Sequence, residues 1–169
     1  NTKINWTNVY LTGTSSFFTQ VGTAWSQTFT ASGGTPAYTY SLQSAPGGAT
    51  VDASTGQVDY TPAAAGTYTF VLRATESGPG TYMDFTFTLD AYAASVCVWN
   101  GSVSSSWTAA GNWSYCGGLA PTAASDVAIA SQAPTMPILM ANATVNSFGL
   151  GPGGGTITVN SAVNLTIAA

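Results

Sequence analysis

Thr81-Tyr82-Met83-Asp84-Phe85-Thr86-Phe87-Thr88-Leu89-Asp90-Ala91 is the stretch that decides the fold class. Met83, Phe85, Phe87, Leu89 and Ala91 take every second position, and Asp84, Thr86, Thr88 and Asp90 stand between them. A period of two sends the two sets to opposite faces of an extended chain, one buried and one wet. The same alternation runs through Tyr38, Tyr40 and Leu42, and through Tyr68, Phe70, Leu72 and Ala74. Trp25 and Phe29 share a face opposite Ser26, Thr28 and Thr30. No window carries apolar residues at the i, i+3, i+4, i+7 spacing of a helix, and Glu, Lys, Arg and Gln are scarce. Gly33-Gly34-Thr35-Pro36, Ala45-Pro46-Gly47-Gly48, Asp52-Ala53-Ser54-Thr55-Gly56, Thr61-Pro62 and Gly78-Pro79-Gly80 separate the apolar runs with turn chemistry. The chain therefore reads as all-β, with a sandwich of short antiparallel strands over 21–93.

Outward from that stretch, composition narrows the function. Of 169 residues, 5% are charged, against roughly a quarter in an ordinary soluble domain. Yet 45% are hydrophobic, enough apolar surface to drive folding. Lys3 and Arg73 are the only basic residues, against six acidic ones, and histidine is absent. Without imidazole, neither hydroxyl activation by His nor a His metal site is available. Two cations cannot neutralise a run of phosphates, so no nucleic-acid partner is expected. A net charge of −4 disfavours anionic membrane surfaces, and no run approaches the ~20 apolar residues of a spanning helix. No membrane insertion, no cofactor and no enzymatic activity are expected.

Cys97 and Cys116 bracket a segment rich in Trp, Ser and Gly. With no His in the chain, and with Lys3 and Arg73 far off in sequence, a structural disulfide is favoured over a reactive pair. Two buried free thiols are the alternative. Closing a loop of that length stabilises by ~3 kcal/mol in the chain-entropy model. Five Asn-x-Ser/Thr sequons, at Asn5, Asn100, Asn112, Asn142 and Asn164, are candidate glycosylation sites in a glycosylating host. Disulfide, scarce charge and scarce tryptic sites together predict an extracellular or cell-surface protein.

Two resemblances divide the chain. Gly33, Gly34, Pro36, Tyr38, Tyr40 and Leu42, then Asp52, Thr55 and Gly56, then Thr61, Pro62, Gly66 and Tyr68 fall in the order seen in bacterial Ig-like modules of surface proteins. The stretch 24–92 resembles those modules, which implies an Ig-like sandwich serving as a spacer or display unit. It departs from them at Val58-Asp59-Tyr60, where a hydrophobic–Ser–Gly run is common. Further on, Trp99-Asn100-Gly101, Trp107, Gly111-Asn112-Trp113, Pro121 and Asp126-Val127 are similar to the Trp/Gly-Asn-Trp segments that introduce β-repeats in secreted bacterial adhesins. That similarity implies a second small module over 94–169, a β-sandwich or a β-solenoid-like stack, with short rungs at 143–150, 156–159 and 162–167. Residues 1–20 belong to neither module. Their apolar stretch, with Ile4, Trp6, Val9 and Leu11, is a candidate donor strand for a neighbouring subunit, or the first strand of its own domain.

No site motif emerges among Asp52, Asp59, Glu76, Asp84, Asp90 and Asp126, and no Asp-x-Asp cluster suits calcium. Trp99, Trp107 and Trp113 are the one concentration of aromatics, to be read as a small core or, for Trp107 and Trp113, as a platform for stacking sugars. The favoured expectation is a structural subunit of an extracellular filament, sheath or surface layer. It would pair β-strands with copies of itself, by donation of its N-terminal strand. Lys3 is the only charge in residues 1–51 and Asp126 the only one after Asp90, so the terminal edges lack the charges that usually keep strand edges apart. The alternative is an adhesin or carbohydrate-binding fragment of a larger surface protein, with surface glycans as partners.

Overall fold

A computed structural model describes residues 8–151 and 155–168. The chain is all-β and divides into two compact units. The first comprises the residues up to Ala63 together with Thr67–Leu89, and the second Ala64–Gly66 together with Asp90 onward.

The first unit contains β1 (Tyr10–Thr12), β2 (Ser16–Gln20), β3 (Trp25–Thr28), β4 (Thr30–Ser32), β5 (Tyr38–Ser44), β6 (Thr50–Val51), β7 (Gln57–Tyr60), β8 (Gly66–Glu76) and β9 (Tyr82–Tyr92). They form a four-stranded sheet in the order β2-β9-β8-β5, a three-stranded sheet β3-β7-β6, and the pair β1-β4. Alternation does in β8 and β9 what the sequence pattern requires. Phe70, Leu72 and Ala74 from one strand and Phe87 and Leu89 from the other are buried in a single core with Phe29, Val58 and Tyr60. Phe70 and Phe87 stack with their ring centroids 4.7 Å apart.

The turn residues of the Ig-like pattern have specific work. Asp52 accepts hydrogen bonds from the backbone N–H groups of Ser54 and Thr55, both at 2.8 Å, which hold its carboxyl below the usual aspartate range. Gly56, at φ +74°, lies where a Cβ would run into the Phe29 carbonyl and the Tyr40 ring. Glu76 is buried and accepts a hydrogen bond from the Thr35 N–H, closing the Gly-Gly-Thr-Pro turn.

Of the two readings of residues 1–20, the described part takes that of a strand in its own domain. Val9 and Leu11 sit in the sandwich core, β1 pairs with β4 in register Leu11↔Ala31, and β2 is an edge strand of the larger sheet. The reason is apolar burial: two large side chains find a closed core within their own unit. Ile4, Asn5 and Trp6 lie outside the described residues. Between the units the division falls inside β9, at Leu89/Asp90, rather than at 93/94.

The second unit begins with β10 (Val96–Trp99), followed by a 3-10 turn at Ala110–Asn112, β11 (Trp113–Ser114), β12 (Asp126–Ile129), β13 (Ile138–Leu139), β14 (Ala143–Val145), β15 (Ser147–Leu150), β16 (Thr158–Val159) and β17 (Leu165–Ile167). Apart from the antiparallel pair of β10 and β11, its pairings are parallel, between strands far apart in sequence: β10 with β12, β12 with β15, β13 with β16, and β14 with β17. A lone parallel bridge from Ser106 to Ile138 extends the β13 ladder. Asp126 pairs with Ser147, Ile138 with Thr158 and Ala143 with Leu165, so the second circuit takes 20 to 22 residues; the first, from Val96 to Asp126 and Ser106 to Ile138, takes 30 to 32. Three parallel ladders wound in successive circuits make a short β-solenoid-like stack, the second of the two architectures expected for this module. Its described rungs are 96–125, 126–146, and 147–151 with 155–168.

Candidate functional site

In a parallel, in-register stack, paired residues point the same way, so each interior position forms a column along the solenoid axis. The first column is Trp99, Ile129 and Leu150, with exposures of 0%, 0% and 52%. In the second, Leu139 is 0% exposed and Val159 41%; in the third, Val145 is 0% and Ile167 49%. These three columns are apolar to their third-rung member, which is half uncovered, while Phe148 and Leu165 in the same rung pack against the core. The strands that carry these residues, β15, β16 and β17, are each the outermost in their ladders. Among the described residues, no strand pairs with their outer edges.

Polar groups tie the second rung to the third. The Asn142 carboxamide oxygen accepts a hydrogen bond from the Asn164 backbone N–H at 2.8 Å. Asp126 accepts from the Asn146 amide at 2.7 Å and the Ser147 hydroxyl at 2.6 Å, bonds that hold its carboxyl below the usual range. No charged residue follows Asp126, so the whole third rung is uncharged.

The opposite end of the solenoid is built differently. β11 lies antiparallel on the outer edge of β10, with Trp99 opposite Trp113. Cys97 and Cys116 form a disulfide, which belongs to an oxidising, non-cytoplasmic environment. Trp113 packs edge-on to both Trp99 and Trp107, at centroid distances of 5.1 Å and 4.7 Å. The Trp99 indole N–H donates to the Thr135 carbonyl and that of Trp113 to the Trp107 carbonyl. Trp107 and Trp113 are each 5% exposed, so of the two readings the small core is the one the structure has, and the alternative of a sugar-stacking platform is corrected.

Asn112 is the organiser of this end and was read from the sequence only as a sequon. It is fully buried; its oxygen accepts from the N–H groups of Val103 and Ser104, and its amide donates to the Ser104 hydroxyl and the Ser106 carbonyl. With every hydrogen-bonding position committed inside the protein, it is no glycan acceptor in the folded state. Asn100 is partly buried and bonded to Ser114 and Ser102, whereas Asn142 and Asn164 are exposed. A cavity of about 310 Å³ borders β14 on this side, lined by Trp107, Pro121, Met140 and Asn142 among others.

The remaining carboxylates have structural partners. Asp84 forms an ion pair with Arg73 at 2.7 Å, Asp59 accepts from the Gln57 amide, and Asp90 accepts from that of Gln132. Among the described residues, no three His, Cys, Asp or Glu side chains come together as a metal site. No helix of the described residues is long and apolar enough to cross a membrane.

The sequence carried one signal for the open end that pattern reading by strands overlooked. Asn142-Ala143-Thr144-Val145 and Asn164-Leu165-Thr166-Ile167 are two copies of one tetrapeptide pattern, 22 residues apart, and they are the paired strands β14 and β17.

No family model matches the chain, and no curated protein matches it. Among solved structures, two proteins from Bacteroides fragilis are similar over 73% of this chain. One is described as a "putative alpha-galactosidase" (17% identity) and the other as a "putative alpha-galactosidase/melibiase" (16%), each with a TM-score of 0.44. This chain spans 28% of the length of each, and likeness at that level transfers no activity.

Proposed function

We propose that this chain is a structural subunit of an extracellular assembly, joined to its neighbours by association of β-sheet edges. The observation that carries the reading is the third rung of the solenoid. Leu150, Val159 and Ile167 end three apolar columns at an edge with no charge to keep other strands away. A disulfide and a chain that is 5% charged suit an environment outside the cell.

The pairing edge in this reading is the third rung and not a donated N-terminal strand. Val9 and Leu11 are 4% and 1% exposed in the core of their own unit, so lending them to a neighbour would empty that core. Deleting residues 1–12 thus reports on folding before it reports on assembly. Electron microscopy and sedimentation of the purified protein test the reading. Defined oligomers or regular polymers are expected; a protein that stays monomeric at every concentration overturns it.

A further inference from the structure

The first two circuits of the solenoid differ in one place. From Ser106 to Asp126 the first takes 20 residues, whereas the second takes nine from Ile138 to Ser147. The surplus goes to β11, on the outer edge of β10, and to the loop closed by Cys97 and Cys116. The first circuit therefore lays no strand beside β14, which pairs with β17 alone among the described residues. The cavity of about 310 Å³ fills that gap, bounded by Trp107 and Pro121 from the first circuit and by Ala143 and Thr144 of β14.

Successive residues of a strand turn their backbone groups to opposite edges. The Ala143 N–H donates to the Asn164 carbonyl at 3.0 Å, and the Val145 carbonyl accepts from the Ala168 N–H at 2.8 Å, so both face β17. Thr144 and Asn146 then face the first circuit. The Asn146 N–H meets the Ser125 carbonyl there at 2.8 Å, whereas Thr144 lines the cavity. Two further polar groups join it. Asn142 gives its carboxamide oxygen to the Asn164 N–H and keeps two N–H donors. The hydroxyls of Ser106 and Thr108 lie 3.2 Å apart, and either can donate. No charged residue lines the cavity.

We propose that this cavity binds a neutral sugar residue, held at its hydroxyls by the Thr144 backbone, the Asn142 amide and the Ser106–Thr108 hydroxyl pair. The site stands apart from the third rung and does not depend on assembly. Its volume is at the lower end of small-molecule sites, roughly 300–1,000 Å³, which suits a single sugar ring. A charged ligand would give up water here and meet no counter-charge. A wholly apolar one would take water from the Thr144 and Asn142 groups and return no hydrogen bond. A sugar hydroxyl both donates and accepts, so it serves the donors and the acceptor of this wall alike, while the C–H face of the ring lies on Pro121, Ile138 and Met140. A peptide strand fits less well. Strand addition needs a run of free backbone groups, and Ser125 already holds Asn146, which leaves an edge one residue long. Trp107 is 5% exposed and bounds the site without serving as a stacking face.

Titration of the isotope-labelled 169-residue chain, followed by its amide resonances, tests the proposal. The probes are the methyl glycosides of glucose, galactose, mannose and N-acetylglucosamine, those of glucuronic acid and glucosamine, and an uncharged capped tetrapeptide. At least one neutral glycoside should shift the Thr144 and Trp107 amides saturably, with a Kd of about 1 mM. The two charged glycosides should bind at least about tenfold more weakly. Thr108→Val removes a hydroxyl at an exposed position, and Asn142→Asp keeps the acceptor for the Asn164 N–H while removing both donors. Each should weaken binding about tenfold and leave the circular dichroism spectrum and melting temperature unaltered. No saturable shift at the cavity with any neutral glycoside up to about 50 mM overturns the site. Charged glycosides that bind as well as neutral ones overturn its chemistry. Saturation by the tetrapeptide alone overturns it in favour of strand pairing on β14. Binding that ignores both substitutions places the sugar elsewhere on the molecule and overturns the assignment of the cavity.

Discussion

In the sandwich, Phe29, Phe70 and Phe87 meet within 4.7 Å of one another along the chain of ring contacts, and each is at most 2% exposed. In the solenoid, Ile129, Leu139 and Val145 are as deeply buried, yet the residues paired with them in the next rung stand half in water. Both units draw on the same nearly uncharged composition. They differ in how the strands close. Antiparallel sheets face each other across one core and bury it on both sides, whereas a stack of parallel rungs buries each layer only with the layer above. Among the described residues, β11 covers the outer edge of the first rung and no strand covers that of the third.

Five measurements break or sharpen that contrast, taken from the largest effect downward. Phe87→Ala opens the sandwich where five aromatic rings meet Phe87 and should cost ~4 kcal/mol in urea denaturation. A loss under ~1 kcal/mol would mean that the sandwich core is not closed around Phe87. Cys97→Ser with Cys116→Ser removes the clasp of the capped end and should cost ~3 kcal/mol, read as a lower melting transition in the non-reducing state. Asn112→Ala leaves the Val103 and Ser104 N–H groups without their acceptor in a buried site, at ~2 kcal/mol. If Asn112 were instead an exposed glycan carrier, the unglycosylated protein would be indifferent to that change.

The next comparison is internal to the solenoid. Val145→Ala should cost ~2 kcal/mol, since it empties part of a covered layer, and Ile167→Ala under ~1 kcal/mol in the monomer, since its side chain is half in water already. Equal costs at the two positions would show that the third rung is covered in solution even in the monomer.

The smallest effect is a pH dependence. Hydrogen bonds from Ser147 and Asn146 lower the folded pKa of Asp126, so the stability it contributes is complete above the unfolded value of ~3.9 and is lost as pH falls through the depressed folded value. Asp126→Asn should flatten the acid limb of a melting-temperature profile and leave the neutral limb in place. An unchanged acid limb would remove Asp126 from the account of what joins the rungs.

Much of the sandwich was legible before any coordinates. The alternation of β8 and β9 is a local property, and Asp52 and Gly56 act within a single turn, so a window of a few residues contains the whole physical cause. The placement of β1 was less legible, because an apolar strand is equally suited to its own core and to a neighbour's. The solenoid was legible in its rungs but not in its pairing. Asn112 reads locally as Asn-Trp-Ser, a sequon; only the return of the 103–106 loop onto its amide makes it a buried organiser. Trp107 and Trp113 likewise satisfy the composition of a sugar platform until the fold packs them against Trp99.

The sequence by itself determined that this protein is all-β, nearly without charge and without imidazole, because alternation and composition are carried by each residue in turn. It also set the cysteine pair that closes the first rung. The tertiary structure decided which edges are occupied: β1 goes to its own sandwich, β11 goes to the head of the solenoid, and among the described residues no strand goes to the outer edge of β17. That decision depends on contacts between residues 20 or more apart, made only when the backbone of one rung meets the backbone of the next. An open edge is a property of the stack and of no single strand within it.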